Sequence, residues 1–390
     1  MTDNVITEKW TETKSALMEG LEGTKAKSMD AVLENTKKYL AEAATTGATG
    51  AGNVAALNKV ILPIIRRVMP TVIANEIVGV QPMTGPVGQI HTLRVRYSDA
   101  KDGVTAGSEA LSPFEIARSY SSNPGSGTQS PVSGATTSSL EGEAGNKMSI
   151  QILKQTVEAK TRKLSARWTF EAAHDASAMH GLDVEAEVMA ALAQEITAEI
   201  DQEILGSLTS LAPSGTAFDQ STATGTPTFV GDEHAALAIA INREANLIAQ
   251  RTRRGAANWA VVSPQALTIL QSATTSAFAR TTEGTFEAPT NTKFVGTLNG
   301  AMRVYVNSYL VDDSPVLIGY KGAGEVDAAA FYCPYIPLMS SGVIVDPSTF
   351  EPVVSFMTRY GYVELTNTAS SLGNSADYLS KLAISNVTFI

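Results

Sequence analysis

With 390 residues, 44% of them apolar and 17% charged, the chain is long enough for a sizeable core and has neither a disordered nor a membrane composition. Its 29 lysines and arginines against 39 aspartates and glutamates leave a formal charge of −10, the wrong sign for gripping a phosphate backbone. The single cysteine, Cys333, excludes an intrachain disulfide and a cysteine-based zinc cage, and no apolar run approaches the roughly 20 residues of a transmembrane helix.

The amino end, MTDNVITEKW, has no apolar signal-peptide core, so the expectation is a chain made and kept inside a cell. Residues 1–42 carry eight acidic and six basic side chains, with Leu17 and Leu21, then Met29, Leu33 and Leu40, at helical spacings. They predict an amphipathic helical leader. The following AATTGATGAGN (43–53) has no large side chain and reads as a hinge or linker. Residues 54–80 return to strong apolarity, with Pro63 and Pro70 limiting any helix to short pieces. The stretch QIHTLRVRY then predicts a strand in which Ile90, Leu93 and Val95 are candidates for burial.

From Ser98 to Lys147 the chain is rich in Ser, Gly, Thr, Pro and Ala, and so long a run without regular structure is uncommon inside a compact domain. It is either a disordered insert or an extended flap that, having so little core of its own, finds support on another molecule. Residues 149–175 mix strand-like alternation with basic side chains. The longest predicted helix covers 183–205, where Val184, Val188, Leu192, Ile196, Ile200 and Ile204 recur at every fourth position and Glu185, Glu187, Glu195, Glu199, Asp201 and Glu203 occupy the other faces. Each four-residue step overshoots one turn by roughly 40°, so the stripe winds and the helix meets different partners along its length.

A second helix is predicted over Glu233–Arg254, with Arg251, Arg253 and Arg254 against its negative end and Gly255 as a left-handed cap. NWAVV (258–262) reads as a buried strand and Ser263-Pro264 as a capped helix start. From about residue 293 the chain is strand-rich, in MRVYVNSYL, SPVLIGYKG, AAAFYCPYIPLM and PVVSFMTRYGY, and the whole reads as α+β. Cys333 is expected to be a small buried hydrophobe.

Residues that could carry a reaction are sparse. The four histidines, His91, His174, His180 and His234, have no close ligand spacing, and no GxSxG elbow supplies a nucleophile. GATGAG (47–52) lacks the strand and lysine of a phosphate cradle. Only His174 with Asp175 offers an acid/base pair, which leaves a soluble hydrolase as the alternative class. No catalytic, metal or cofactor site is expected.

Three segments carry a resemblance to a known family. They are IIRRVMPTVIANEIVGVQPMTGPVGQIHTLRVRY (64–97), KQTVEAKTRKLSARWTFEAAHDASAMHGLDVEAEVMAALAQEITAEID (154–201), and the end with MRVYVNSY, IGYKG, FYCPYIPL and FMTRYGY. In order and over more than half the chain, they resemble the major capsid proteins of T-even-like myoviruses. The resemblance implies a Hong Kong 97-like capsid fold, a shell-building role in the virion and no enzymatic activity.

Mapped onto this chain, the resemblance implies a leader at 1–42, an N-terminal arm at 43–95, an extended loop at 96–165, a peripheral domain at 166–232 with spine helix 183–205, a mainly axial domain at 233–330, and returning C-terminal strands at 331–390. No additional folded insertion is expected in 98–147. It further implies hexameric capsomers, a related vertex protein that forms pentamers, portal, scaffold and decoration partners, and enclosed double-stranded DNA. A prohead protease cutting after Leu/Ile-x-Glu matches Leu40, Glu42 and Ala43, with Leu17-Met18-Glu19 and Ile6-Thr7-Glu8 as further matches. Arg66, Arg67, Arg94, Arg96, Phe114, Tyr120 and Arg359 are the expected inter-subunit contacts. A nanocompartment shell of the same fold is a less extensive match.

Overall fold

Two sheets and one long helix organise the chain, and the class is α+β as expected. The computed structural model describes residues 14–15, 18, 26–35, 72–100, 106–107, 120–121, 137–141, 145–181, 183–219, 230–252, 254–272, 278–280, 293–311, 314–323, 327–365 and 375–386. The expected linker 43–53, the 42/43 bond, Arg66, Arg67 and Phe114 lie outside these residues.

In the first sheet, β1 (Gly79–Val80) runs parallel to β11 (Ala330–Ser340), and β11 pairs antiparallel with β13 (Pro352–Glu364). The opposite side of β13 takes β4 (Lys160–Arg167) through eight register pairs, and the short β12 (Ile344–Val345) pairs at its start. Along β13 buried and half-buried residues alternate from Pro352 to Tyr360, as a strand with one covered face requires.

The second sheet has the order β14 (Leu379–Leu382), β10 (Val316–Gly319), β6 (Trp259–Val262), β9 (Met302–Val306), β8 (Lys293–Leu298), β7 (Phe278–Arg280). Its centre is buried on both faces, which is why WAVV is apolar without alternation. Trp259 and Val261 join one core, while Ala260 and Val262 join the other. The remaining short strand pair is β5 (Phe218–Asp219) with β15 (Ile384–Ser385).

The helices in chain order are α1 (26–35), α2 (Ala74–Ile77), α3 (Thr137–Leu140), α4 (Phe170–His180), α5 (Val184–Leu211), α6 (Val230–Thr252) and α7 (Pro264–Ser272). Helix α5 covers the longest helix predicted from the sequence, and Asp183 caps it by accepting from Glu185 N at 3.1 Å and Ala186 N at 3.4 Å. It runs six residues past its expected end. Gly206 costs about 1 kcal/mol in a helix, but Leu205 and Leu208 are buried on either side of it, and the helix stops only before Pro213.

Helix α5 joins the two sheets. Its Ile196, Ile200 and Ile204 share one core with Val354 and Phe356 of the first sheet and with Trp259 and Leu317 of the second. Helices α6 and α7 cover the other face of the second sheet. Ser263 caps α7 as expected, accepting from Ala266 N at 3.2 Å.

Two local expectations need correction. Gly255 is not in the left-handed region; the Tyr320 ring comes within 2.8 Å of where a Cβ would sit, and that close approach is what requires glycine. The left-handed cap belongs instead to Gly181, with φ 64° at the end of α4. Of the arginines expected at the negative end of α6, Arg251 does lie in the last turn and donates to Leu379 O at 3.5 Å, whereas Arg254 lies beyond the helix and pairs with Asp327; Arg253 is outside the described residues. Cys333 is buried, as expected.

Candidate assembly surfaces

The element that leaves the body of the protein is a two-stranded ribbon, β2 (Val87–Tyr97) against β3 (Met148–Glu158), closed in register over eleven pairs. At its root Ala159 N donates to Pro86 O at 2.9 Å, and at its far end Ser98 N donates to Lys147 O at 2.9 Å. Period-2 alternation separates its faces. Ile90 and Val157 point to the root side and are buried with Met83, Phe331 and Cys333.

The other face is built differently. Register places Leu93 opposite Ile152, Val95 opposite Ile150 and Tyr97 opposite Met148. The exposures of Met148, Ile150 and Ile152 are 52%, 68% and 66%. Thus Ile90 and Val95, both candidates for burial, lie on opposite faces, and of these two Ile90 is the one that reaches the core. Val95 is half-buried beneath the Tyr97–Tyr120 pair, whose ring centroids are 4.6 Å apart.

A two-stranded ribbon is at best marginally stable alone in water, and this one holds an apolar strip in solvent along its outer half. Full burial of each such side chain is worth roughly 1.5–3 kcal/mol. The sequence signal was present in the alternation Met148-Ser149-Ile150-Gln151-Ile152, but period alone does not say which face the body covers.

The expected contact residues have distinct environments. Arg96 is buried in β2, with Nε and Nη2 lacking a hydrogen-bond partner among the described residues. Tyr120 is buried too; its hydroxyl donates to Lys147 O at 2.5 Å and accepts from Asp99 N at 3.3 Å, which ties the far end of the ribbon together. Arg94 occupies the β2 position paired with Gln151. Arg359 lies on β13, its guanidinium 5.3 Å from the Tyr335 ring centroid.

Behind the ribbon, Arg162 on β4 fastens the first sheet to α5. It reaches Glu199 Oε2 at 2.6 Å and Glu203 Oε2 at 2.5 Å, and its Nε donates to the Tyr360 hydroxyl at 2.6 Å. The Tyr360 hydroxyl in turn donates to Glu203. Burial alone would raise the Glu203 pKa, but the hydrogen bonds from Arg162 and Tyr360 more than offset it and hold the carboxyl below its ordinary range. These residues form a rigid base and not a reactive centre.

A cleft of about 460 Å³ opens between α4, the start of α5 and the β12–β13 hairpin, lined in part by Trp168, Phe170, Val184 and Val343. Its Asp183 is already engaged in capping α5. His174 and Asp175 are exposed neighbours on α4, and adjacent helical residues point about 100° apart, so they do not form a facing acid/base pair. Among the described residues no group of three or more His, Cys, Asp or Glu could hold a metal, and no helix is long and apolar enough to cross a membrane.

Comparison with known proteins identifies what this architecture belongs to. The family model described as Major capsid protein Gp23 matches residues 54–141 and 124–384. The major capsid protein of Vibrio phage KVP40 is 32% identical across 86% of this chain and 82% of its own length. That of Enterobacteria phage T4 is 30% identical across 80% of this chain and 75% of its own length. Among solved structures, the asymmetric unit of the bacteriophage PhiM1 mature capsid covers 79% of this chain and 84% of its own, at 13% identity and a TM-score of 0.45. The chain, with its α+β fold, belongs to the Gp23 family of major capsid proteins, which are structural shell components of T-even-like phages and not enzymes.

Proposed function

We propose that copies of this chain associate into hexameric capsomers that tile the phage head and enclose double-stranded DNA without reading its sequence. The observation that carries this reading is the ribbon's exposed apolar strip, Met148, Ile150 and Ile152, on an element too thin to stabilise itself. An identical neighbour is the natural cover, because one surface repeated on every copy closes a symmetric ring. The net charge of −10 supports enclosure without adhesion to phosphate.

In this reading the ribbon is the extended loop of 96–165 together with the end of the 43–95 arm, α5 is the spine of the peripheral domain at 166–232, and the second sheet forms most of the axial domain at 233–330. The 331–390 strands return through both sheets. The leader 1–42 is removed in the host cytoplasm by a prohead protease at Leu40-Ala41-Glu42, before Ala43. Arg66, Arg67, Arg94, Arg96, Phe114, Tyr120 and Arg359 contribute to or brace inter-subunit contacts. Vertex, portal, scaffold and decoration proteins complete the particle.

Electron microscopy of the purified chain, with and without residues 1–42, tests the proposal. Six-fold rings or closed shells are the expected result. Rings of five would assign the chain to vertices, and a lone monomer at high concentration would overturn the reading.

A further inference from the structure

Helix α1 lies in the segment expected to be removed, yet it is docked. Met29, Val32 and Leu33, at i, i+3 and i+4, are 2%, 0% and 1% exposed. Lys14 adds ion pairs to Asp30 at 2.5 Å and Glu34 at 2.9 Å. Asn35, the last described residue of the helix, is 6% exposed, and its amide donates to two backbone oxygens, Met83 O at 2.5 Å and Tyr335 O at 3.2 Å.

Those two acceptors occupy a seam. Gln81 N donates to Tyr332 O and Met83 N to Pro334 O, each at 3.0 Å, so the chain leaving β1 follows β11 as far as Met83. There it turns away into β2, and Asn35 bridges the two chains at the point where they part. The Met83 side chain supports the ribbon's root: it lies 3.5 Å from where a Cβ on Gly88 would sit and shares a core with Ile90 and Val157.

We infer that α1 is a latch on the ribbon's root. While docked, Asn35 holds Met83 against β11 and fixes the direction in which the ribbon leaves the body. Once α1 is gone, two carbonyls lose their donor and the root can adopt a new direction. This inference rests on the shell reading, since the ribbon's direction decides how it meets a neighbour.

The test is hydrogen exchange by mass spectrometry on the unassembled full-length chain, comparing wild type with Asn35→Ala and Asn35→Asp. The aspartate keeps the size of the side chain but cannot donate when ionised. Exchange over 148–158 is expected to quicken by about fivefold in both variants, the scale of one lost hydrogen bond, while 259–262 in β6 stays unchanged. An unchanged ribbon overturns the latch, and so does an equal rise at 259–262, which marks general loosening. Exchange is read before assembly, so this failure is separate from a failure to form rings or shells, which bears on the shell reading alone.

Discussion

Asp201, midway along α5, accepts the backbone N–H of Ile73 at 2.9 Å across 128 residues of sequence. Ile73 is the N-cap of α2 and has no side-chain cap of its own, so the carboxylate of a distant helix serves the start of this one. The cost is burial: Asp201 is 1% exposed, and its second oxygen has no partner among the described residues.

Burial pushes the Asp201 carboxyl up to about 7, only partly opposed by the Ile73 N–H. A folded-state value above the unfolded one means that the folded chain holds the proton more tightly. The stabilisation is complete below about pH 4 and is lost as pH rises through 7. Asp201→Asn retains an acceptor without the charge, and it is expected to raise stability at pH 8 by roughly 1–3 kcal/mol and to flatten the slope between pH 4 and 7. Urea unfolding of the unassembled chain across that range checks this, and a less stable variant at pH 8 would refute it.

Arg162→Met should act in the opposite sense. It strips Glu203 and Tyr360 of a shared donor in a half-buried site, and a loss of about 1–2 kcal/mol is expected at pH 7. Because Glu203 is held below its ordinary value, the stabilisation exists at neutral pH and disappears as the carboxylate protonates. The gap between variant and wild type should therefore shrink on acidification. A gap independent of pH would show that packing of the arginine stem, and not its charge, matters.

The ribbon separates folding from assembly. Ile150→Asp combined with Ile152→Asp alters only exposed positions, so the melting behaviour of the unassembled chain should move by less than about 0.5 kcal/mol. Sedimentation and microscopy should nevertheless show no rings or shells. Normal assembly of the double variant would remove the strip from the interface.

Cys333 offers a probe of the core. Burial pushes its thiol up to about 12, leaving almost no thiolate at pH 8. Alkylation in native buffer is expected to be negligible and to follow the unfolding transition in urea. Rapid labelling of the folded chain would contradict the assigned burial.

Periodicity made much of this molecule readable. The α5 stripe, the Ser263 cap and the apolar WAVV strand each depend on neighbours in sequence, and each appears where the pattern placed it, within a few residues. Asp201 was grouped with the surface carboxylates because a local pattern cannot show that Ile73 arrives from 128 residues away. Gly255 misled for a related reason, since a helix-end glycine signals a cap, whereas here Tyr320 requires the space. In the ribbon, alternation revealed two faces, and only the fold showed that the root covers Ile90 and leaves Ile150 in water.

One consequence concerns mechanical load. Strand β3 passes into β4 with only Ala159 between them, and β4 is laced to β13 along its whole length. A pull on the ribbon directed along β4 therefore meets resistance as shear, with many backbone bonds strained in parallel, and not as peeling, in which they break singly. A container wall strained from within by its contents gains toughness from such an anchorage without any covalent weld.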